Sequence, residues 1–284
     1  MNYRHAFHAG NFADVHKHLV LLALLERLQR KPKPLFYMDT HAGRGWYGLQ
    51  TRDAQRGGEW RDGIARLLAA QAVSEDLRRY RLAVSSAQER SQATTAPVRY
   101  PGSPILAMEH LREGGHRVVL VERQIEEAHA LDQAAHGRRG VSIVCGDGYA
   151  ALRTYLPPRE NRGLVLIDPP YESDQEFAQV QRALQLGMAR WPNGMYALWY
   201  PIKAGPNAQR LQTALQQSGL RKLLLLELMV RPSDSPLGLN GSGLIVANPP
   251  WQFDVEIAPA LEELSAALAA RGAARPRVHW LVPE

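Results

Sequence analysis

Two stretches of this chain end an apolar run in the same way. Residues 164–173, LVLIDPPYES, reach Asp168-Pro169-Pro170-Tyr171, and residues 244–253, LIVANPPWQF, reach Asn248-Pro249-Pro250-Trp251. Such a turn has the parts needed to activate an amino group whose lone pair is delocalised into a ring. A side-chain oxygen and a backbone carbonyl each accept one of its N–H bonds, which favours the pyramidal form with the lone pair exposed. Pro169 has no N–H and a fixed φ, so its carbonyl is aimed rigidly. Tyr171 offers a face on which an extruded base can stack. Asp168 is the natural acceptor of the proton released when the amine takes a methyl group in a one-step displacement, a reaction helped mainly by alignment.

The elements needed to position these residues are legible as short apolar runs separated by helical patterns. Strands are expected at 34–39, 117–122, 141–146, 163–168, 195–201, 222–230 and 243–249, with a last short run, VHWLV, near the end. Most are apolar throughout, as expected of strands covered on both faces. Helices are expected at 11–30, 102–113, 124–136, 147–156, 173–190 and 206–218. The β-α-β-α order implies a doubly wound, mostly parallel sheet. Residues 48–97 have helical periodicity and many charges but no convincing strand, and read as a helical insertion ending at Pro97. Residues 231–243, RPSDSPLGLNGSG, read as a mobile loop, and the Ala-rich AALAARGAAR near the end as a surface helix.

In an open parallel sheet the ligand lies beyond the carboxyl ends of the strands. The first strand runs into MDTHAGRGWYG, whose Gly43 and Gly45 let the backbone approach a nucleotide-like ligand. The second ends at Glu122, a carboxylate able to take both ribose hydroxyls of an adenosine; a solvated strand-end Glu reads equally well alone. The third ends before Asp147, which can accept from an adenine amino group or simply cap the next helix. The fourth ends at Asp168. Each is ordinary alone, but the ordered set points to one nucleoside-bearing ligand with Asp168 beside it. Asn248 follows two further strands and a Gly/Ser loop, so NPPW reads as a strand end and turn.

Composition narrows the partners. Lys and Arg number 34 against 28 Asp and Glu, a formal net charge of +6 dominated by Arg, which suits phosphate contacts and base stacking. Cys145 is the single cysteine, which excludes an intrachain disulfide and a multi-thiolate zinc site. No apolar run approaches the roughly 20 residues that span a bilayer, and the start of the chain resembles no secretory signal, so a reducing cytoplasm is expected. Tyr3, Arg4, His5, His8, His16, Lys17 and His18 form a basic, aromatic N-terminal cluster. Its spacing matches no common zinc pattern, and contact with RNA phosphates and bases suits it better than metal; a solvated helix start remains open.

Taken together, YRHAFHAGNFADVHKH, DTHAGRGWY, YPGSP, RGLVLIDPPYE, YALWYP and SGLIVANPPW resemble the bacterial 23S ribosomal RNA adenine-N6 methyltransferases of the RlmJ type, over essentially the whole chain. The resemblance implies a class I S-adenosylmethionine-dependent methyltransferase fold, with a Rossmann-like, mostly parallel seven-stranded sheet. One domain would span 1–284, with a helical insertion at 48–97. It implies S-adenosylmethionine as donor, S-adenosylhomocysteine as product, no metal, and one adenine of 23S rRNA as target. Cofactor contacts would come from His18, His41, Ser103, Glu122, Asp147, Gly148 and Asp168. Asp168 matches the family's proton acceptor and Tyr3 its substrate-contacting tyrosine; together with the reading of the residues above, catalysis would fall to Asp168, Pro169 and Tyr171, and RNA contact to Tyr3, His5 and Lys17. A cytoplasmic monomer is expected. Two rivals keep the fold, a DNA adenine methyltransferase and a catalytically silent RNA-binding protein. A nicotinamide oxidoreductase is disfavoured by the incomplete glycine fingerprint.

Overall fold

The apolar runs assemble into one eight-stranded sheet. The computed structural model describes residues 5–91, 98–111, 113–236 and 238–284, the side chains of residues 90 and 91 excepted. A short turn, His5–Phe7, precedes α1 (Phe12–Gln29) and β1 (Phe36–Asp39). The chain continues through β2 (Trp46–Gly48), α2 (Arg52–Gly57), a kinked turn at Arg61–Ala65, α3 (Arg66–Ala69), α4 (Glu75–Ser91) and β3 (Arg99–Pro101). Then follow α5 (Ser103–His110), β4 (Arg117–Glu122), α6 (Ile125–Ala135), β5 (Val141–Cys145), α7 (Gly148–Tyr155), β6 (Gly163–Ile167) and α8 (Gln175–Arg190). The last third holds β7 (Met195–Lys203), α9 (Asn207–Gln216), β8 (Leu223–Met229), β9 (Leu239–Ala247), α10 (Phe253–Leu268) and β10 (Arg277–Val282).

The strand order is β5-β4-β1-β6-β7-β9-β8-β10. The pairs β5–β4, β4–β1, β1–β6 and β6–β7 are parallel. β9 runs antiparallel between β7 and β8, and β10 runs antiparallel on the outer side of β8. The expected seven strands are present, and the terminal VHWLV run adds β10 as an eighth at the edge. Alternation along β1 divides the core. Tyr37 belongs to the core that the sheet shares with α1, α4, α5 and α10 on one face, whereas Phe36 and Met38 belong to the one shared with α7 and α8 on the other.

α1 begins at Asn11, whose side chain accepts from the amides of Ala13 and Asp14, satisfying two donors that a helix start leaves open. It has hardly any exposed face: Asp14, His16, Lys17 and His18 are buried along with its leucines. A helix enclosed all round lacks the amphipathic stripe of a surface helix, and its buried polar groups must find partners inside the protein.

Two expectations need correction and a third gains a detail. Residues 48–97 are mostly helical where described, but Gly48 closes the short β2 strand, which pairs with β3 across the segment. Three-residue strands carry too little alternation to be read, and the expected end at Pro97 lies outside the described residues. The loop expected over 231–243 is shorter than that, because residues 239–243 belong to β9 and Asn240 is fully buried, its amide held by the carbonyls of Ser233 and Ser235. The helix expected in AALAARGAAR instead starts at Phe253 and ends at Leu268. It buries Phe253, Ile257, Leu261, Leu264 and Leu268 against the core, each worth roughly 1.5–3 kcal/mol of apolar burial. Its start was hidden because Gln252 enters in a left-handed conformation without a side-chain cap, and Pro259 lies inside it.

Candidate functional site

Parallel strands deliver the ends of β1, β4, β5 and β6 to one edge of the sheet. From the end of β1, the chain turns through Gly43 and Gly45, both at positive φ (64° and 85°). A side chain at Gly43 would also meet the Tyr47 hydroxyl at 2.2 Å, so backbone and space both call for glycine there. The Gly43 amide donates to Glu122 Oε2 at 2.9 Å and the Gln124 amide to Oε1 at 2.7 Å. Glu122 thereby fastens the Gly turn to the end of β4, and burial raises its carboxyl above the usual range. Each of its oxygens keeps a second lone pair for a hydroxyl donor.

Asp147 caps α7 by accepting from the Ala150 amide at 2.9 Å. Gly148 lies directly on the Thr40 carbonyl, where a Cβ would come within 2.0 Å. That approach draws the Asp147 turn onto the end of β1. His41 stands between them, its Nδ1 2.8 Å from Thr40 Oγ1 and its ring edge-on to Tyr149 at 5.1 Å. Burial lowers the His41 pKa to about 4, so its ring is neutral near pH 7. Ser103, at the start of α5, donates to Asp39 Oδ2 at 2.7 Å, and Tyr37 and the His41 amide also donate to Asp39. Burial raises the Asp39 carboxyl to about 6.

Asp168 ends β6 and is reached from the opposite side by α1. Lys17 Nζ donates to Asp168 Oδ2 at 2.5 Å and to Asp14 Oδ1 at 2.9 Å. Asp14 Oδ2 in turn contacts His5 Nε2 at 2.9 Å and the Gly10 amide at 3.0 Å. Burial would raise Asp14, yet the nearby His5 and Lys17 hold it well below the usual carboxylate range. Burial would lower Lys17, but the Asp14 and Asp168 carboxylates keep it well above its ordinary value. Lys17 is therefore a fixed cation between two anions, where breaking the set would leave a buried charge unpaired. Asp168 Oδ1 makes no hydrogen bond among the described residues.

Behind Asp168 the walls are aromatic. Pro169 is buried. Tyr171 has φ 49° and is only 8% exposed; its hydroxyl donates to the Trp199 carbonyl at 2.7 Å and its ring packs against Trp199 and Phe177. Tyr171 is thus a packed side wall here rather than an open face. Trp199 is half-buried, lies 5.9 Å from Lys17 Nζ, and donates through Nε1 to Ser242 Oγ at 2.9 Å. Ser242 also contacts His16 Nδ1 at 3.0 Å, and burial lowers the His16 pKa to about 3.

His18 is enclosed, its Nδ1 2.7 Å from the Tyr100 hydroxyl and its ring stacked on Tyr100. Burial lowers its pKa to about 3. Tyr3 lies outside the described residues. The histidines of the N-terminal cluster go to separate partners: His5 to Asp14, His8 to Glu59, His16 to Ser242 and His18 to Tyr100. Sequence reading passed over Asp14, Asp39 and Trp199. Asp14 sits three residues before Lys17, an ion-pair spacing on a helix, and Asp39 ends a buried strand before the Gly turn. Trp199 carries no such signal.

The second Pro-Pro turn lies at the other edge. Because β9 is antiparallel to its neighbours, its end pairs with the starts of β7 and β8, Ala247 facing Tyr196 and Leu223. Asn248 Nδ2 donates to the carbonyls of Pro192 and Gly194 at 2.8 and 2.7 Å, and Trp251 is 81% exposed.

A parallel sheet with this strand order, its seventh strand reversed between the fifth and sixth, and carboxylates gathered beside a Gly turn is the class I methyltransferase fold. The family model described as Ribosomal RNA large subunit methyltransferase D, RlmJ, matches residues 32–282. Proteins named Ribosomal RNA large subunit methyltransferase J from Haemophilus influenzae and Escherichia coli K12 are each 37% identical over 284 residues, covering all of both chains. The crystal structure of protein LPL1258 from Legionella pneumophila superposes with a TM-score of 0.85 at 32% identity, covering 96% of this chain and 98% of that one. The chain belongs to the RlmJ family of ribosomal RNA large subunit methyltransferases. Among the described residues no helix is long and apolar enough to cross a membrane.

Proposed function

We propose that this protein methylates the exocyclic N6 amine of one adenine in 23S ribosomal RNA, with S-adenosylmethionine as donor and S-adenosylhomocysteine as product. The observation that carries the reading is the placement of Asp168. It ends β6 beside the Gly43 turn, with one oxygen held by Lys17 and the other without a partner among the described residues. When bound, S-adenosylmethionine supplies a methyl group on a positively charged sulfur. The residues present fit it: Glu122 for the ribose hydroxyls, Asp147 and Gly148 for the adenine end, and His41 and Ser103 on either side of the β1 turn. His18, enclosed on Tyr100, is the one expected cofactor residue whose ring has no open side in this structure, so its part is to support the site from within the core.

The target amine donates one N–H to Asp168 Oδ1 and the other to the Pro169 carbonyl, which exposes its lone pair. Lys17 prevents the carboxylate from swinging and fixes the attack line, a service that alignment rewards strongly. After methyl transfer, Asp168 accepts the amine proton directly or through water. Tyr171 and Trp199 close the site sideways, so the flipped base displaces water from an aromatic wall. His5 and Tyr3 meet the RNA around the target nucleotide, whereas Lys17, enclosed between Asp14 and Asp168, acts on it through Asp168 rather than by touching RNA. The reading includes one methyltransferase domain over 1–284 with 48–97 as a helical insertion. The enzyme would act as a cytoplasmic monomer, on naked or partly assembled rRNA and without a metal.

Labelled-methyl transfer tests this reading. Incubation with 23S rRNA and donor, followed by digestion to nucleosides, should place the label in N6-methyladenosine. Label in another nucleoside, or transfer to DNA in preference to RNA, would overturn it.

A further inference from the structure

Next to the Asp168 turn lies a cleft that shares only the Tyr171 wall with the amine site and none of the cofactor residues. It is a cavity of about 230 Å³ between the segment after β6 and the β7–α9 connection. Tyr171, Phe177 and Pro201 give it an apolar wall, and Ser173, Asp174 and Asn207 line its polar side. Lys203 stands at its rim, exposed and with no ion-pair partner among the described residues. Asn207 Nδ2 donates to Asp174 Oδ1 at 2.8 Å, which leaves Asp174 Oδ2 as an acceptor at the mouth.

Position along the sheet says what such a cleft receives. The residues suited to the cofactor end β1, β4 and β5; Asp168 ends β6; the cleft lies beyond it, at the end of β7. An RNA strand that delivers one base to Asp168 must carry its neighbours away from the cofactor, toward this side. The chemistry agrees: an aromatic face to stack a base, hydrogen-bonding groups of both senses for its edge, and a cation for a phosphate. These are the components of single-strand recognition. Lys203 is also close enough to His8 for its charge to oppose protonation of that ring, so the rim continues into the N-terminal segment.

We propose that this cleft is a subsite for the nucleotide adjacent to the target adenine, with Lys203 on its phosphate and Phe177, Ser173, Asp174 and Asn207 on its base. The inference rests on the adenine-methyltransferase reading and extends it to how the RNA strand is held.

The test compares adenosine monophosphate with a trinucleotide carrying adenine at its centre, each titrated into the full-length protein saturated with S-adenosylhomocysteine. Wild-type protein should bind the trinucleotide at least ~10-fold more tightly, as one stacked base supplies. In the double variant Lys203→Ala/Asn207→Ala that advantage should fall by about tenfold, with adenosine monophosphate affinity unchanged. The salt dependence of trinucleotide binding should become shallower by roughly 0.7, the loss of one single-strand phosphate contact. A wild-type protein with no preference for the trinucleotide, a variant that keeps the preference, or equal losses for both ligands would overturn the subsite. Failure of the wild-type protein to methylate adenine at all would instead defeat the functional reading, so the two outcomes are separable.

Discussion

The two Pro-Pro turns are near copies in sequence and opposites in the structure. Asp168 ends a parallel strand and faces the edge where Gly43, Glu122 and Asp147 gather. Asn248 ends the reversed strand β9, so the same four-residue pattern is carried to the far edge, beside the starts of β7 and β8. The side chains differ in the same sense. Asp168 has Lys17 fixing one oxygen and no partner for the other among the described residues, whereas both amide hydrogens of Asn248 are spent on the carbonyls of Pro192 and Gly194. The aromatic at the fourth position is enclosed in one turn and open to water in the other, 8% against 81% exposed. Strand direction, rather than motif, separates a candidate reactive turn from a structural one.

The largest expected contrast is in turnover. Asp168→Ala should lower methyl transfer roughly 10³-fold, within the range of a lost general base, while equilibrium dialysis shows cofactor affinity largely kept. Asn248→Ala should leave turnover near wild type; comparable losses in the two variants would dissolve the contrast. Lys17→Ala should reduce turnover roughly a hundredfold, the cost of a misplaced reacting group. Because Asp14 and Asp168 would then lose their shared cation, it should also destabilise the fold by about 3–5 kcal/mol, read by urea denaturation.

Acidification should act on the Asp168 end. Burial depresses His16 and His18 to about 3 and His41 to about 4. Each is neutral in the folded chain, so its contribution is complete above the ordinary value near 6.5 and is lost as pH falls below it. Asp39, raised to about 6, acts oppositely and gains as pH falls from there toward its ordinary range. For these four groups the balance near pH 5 is about two protons, or ~3 kcal/mol lost per pH unit; His110 and His116, also lowered by burial, steepen the slope, and Glu122, raised by burial, offsets part of it. Unfolding free energy measured on either side of that pH should show the slope. His18→Asn should reduce it by about one proton, whereas Asn248→Ala should leave it alone.

Smaller effects belong to the other turn. Asn248→Ala leaves two carbonyls without their donor and should cost about 1–3 kcal/mol of stability. Trp251→Phe, at an exposed ring, should change stability by no more than about 0.5 kcal/mol. Loss of methyl transfer by a folded Trp251→Phe protein would place the reactive turn at the opposite edge of the sheet.

Much of this contrast is legible in the sequence. Continuous apolar runs such as GLVLI mark strands buried on both faces, and their β-α order gives the parallel sheet and hence the shared edge. Glu122, Asp147 and Asp168 follow from that edge alone. The Lys17–Asp168 pair joins residues 151 positions apart and has no local signature. Trp199 and its Ser242–His16 support come from three separated segments, and were equally hidden. Within α10, an internal Pro259 and an uncapped start obscure the apolar spacing of Phe253, Ile257, Leu261, Leu264 and Leu268, which is plain once the helix is drawn.

Whether Asp168 meets the methyl donor is a spatial question, and a crystal structure of the protein with S-adenosylmethionine answers it most directly. The ribose should sit at Glu122, with the sulfonium methyl facing the space between Asp168 Oδ1 and the Pro169 carbonyl. A donor bound beside Asn248, or an Asp168 carboxylate turned away from the methyl group, would contradict this arrangement.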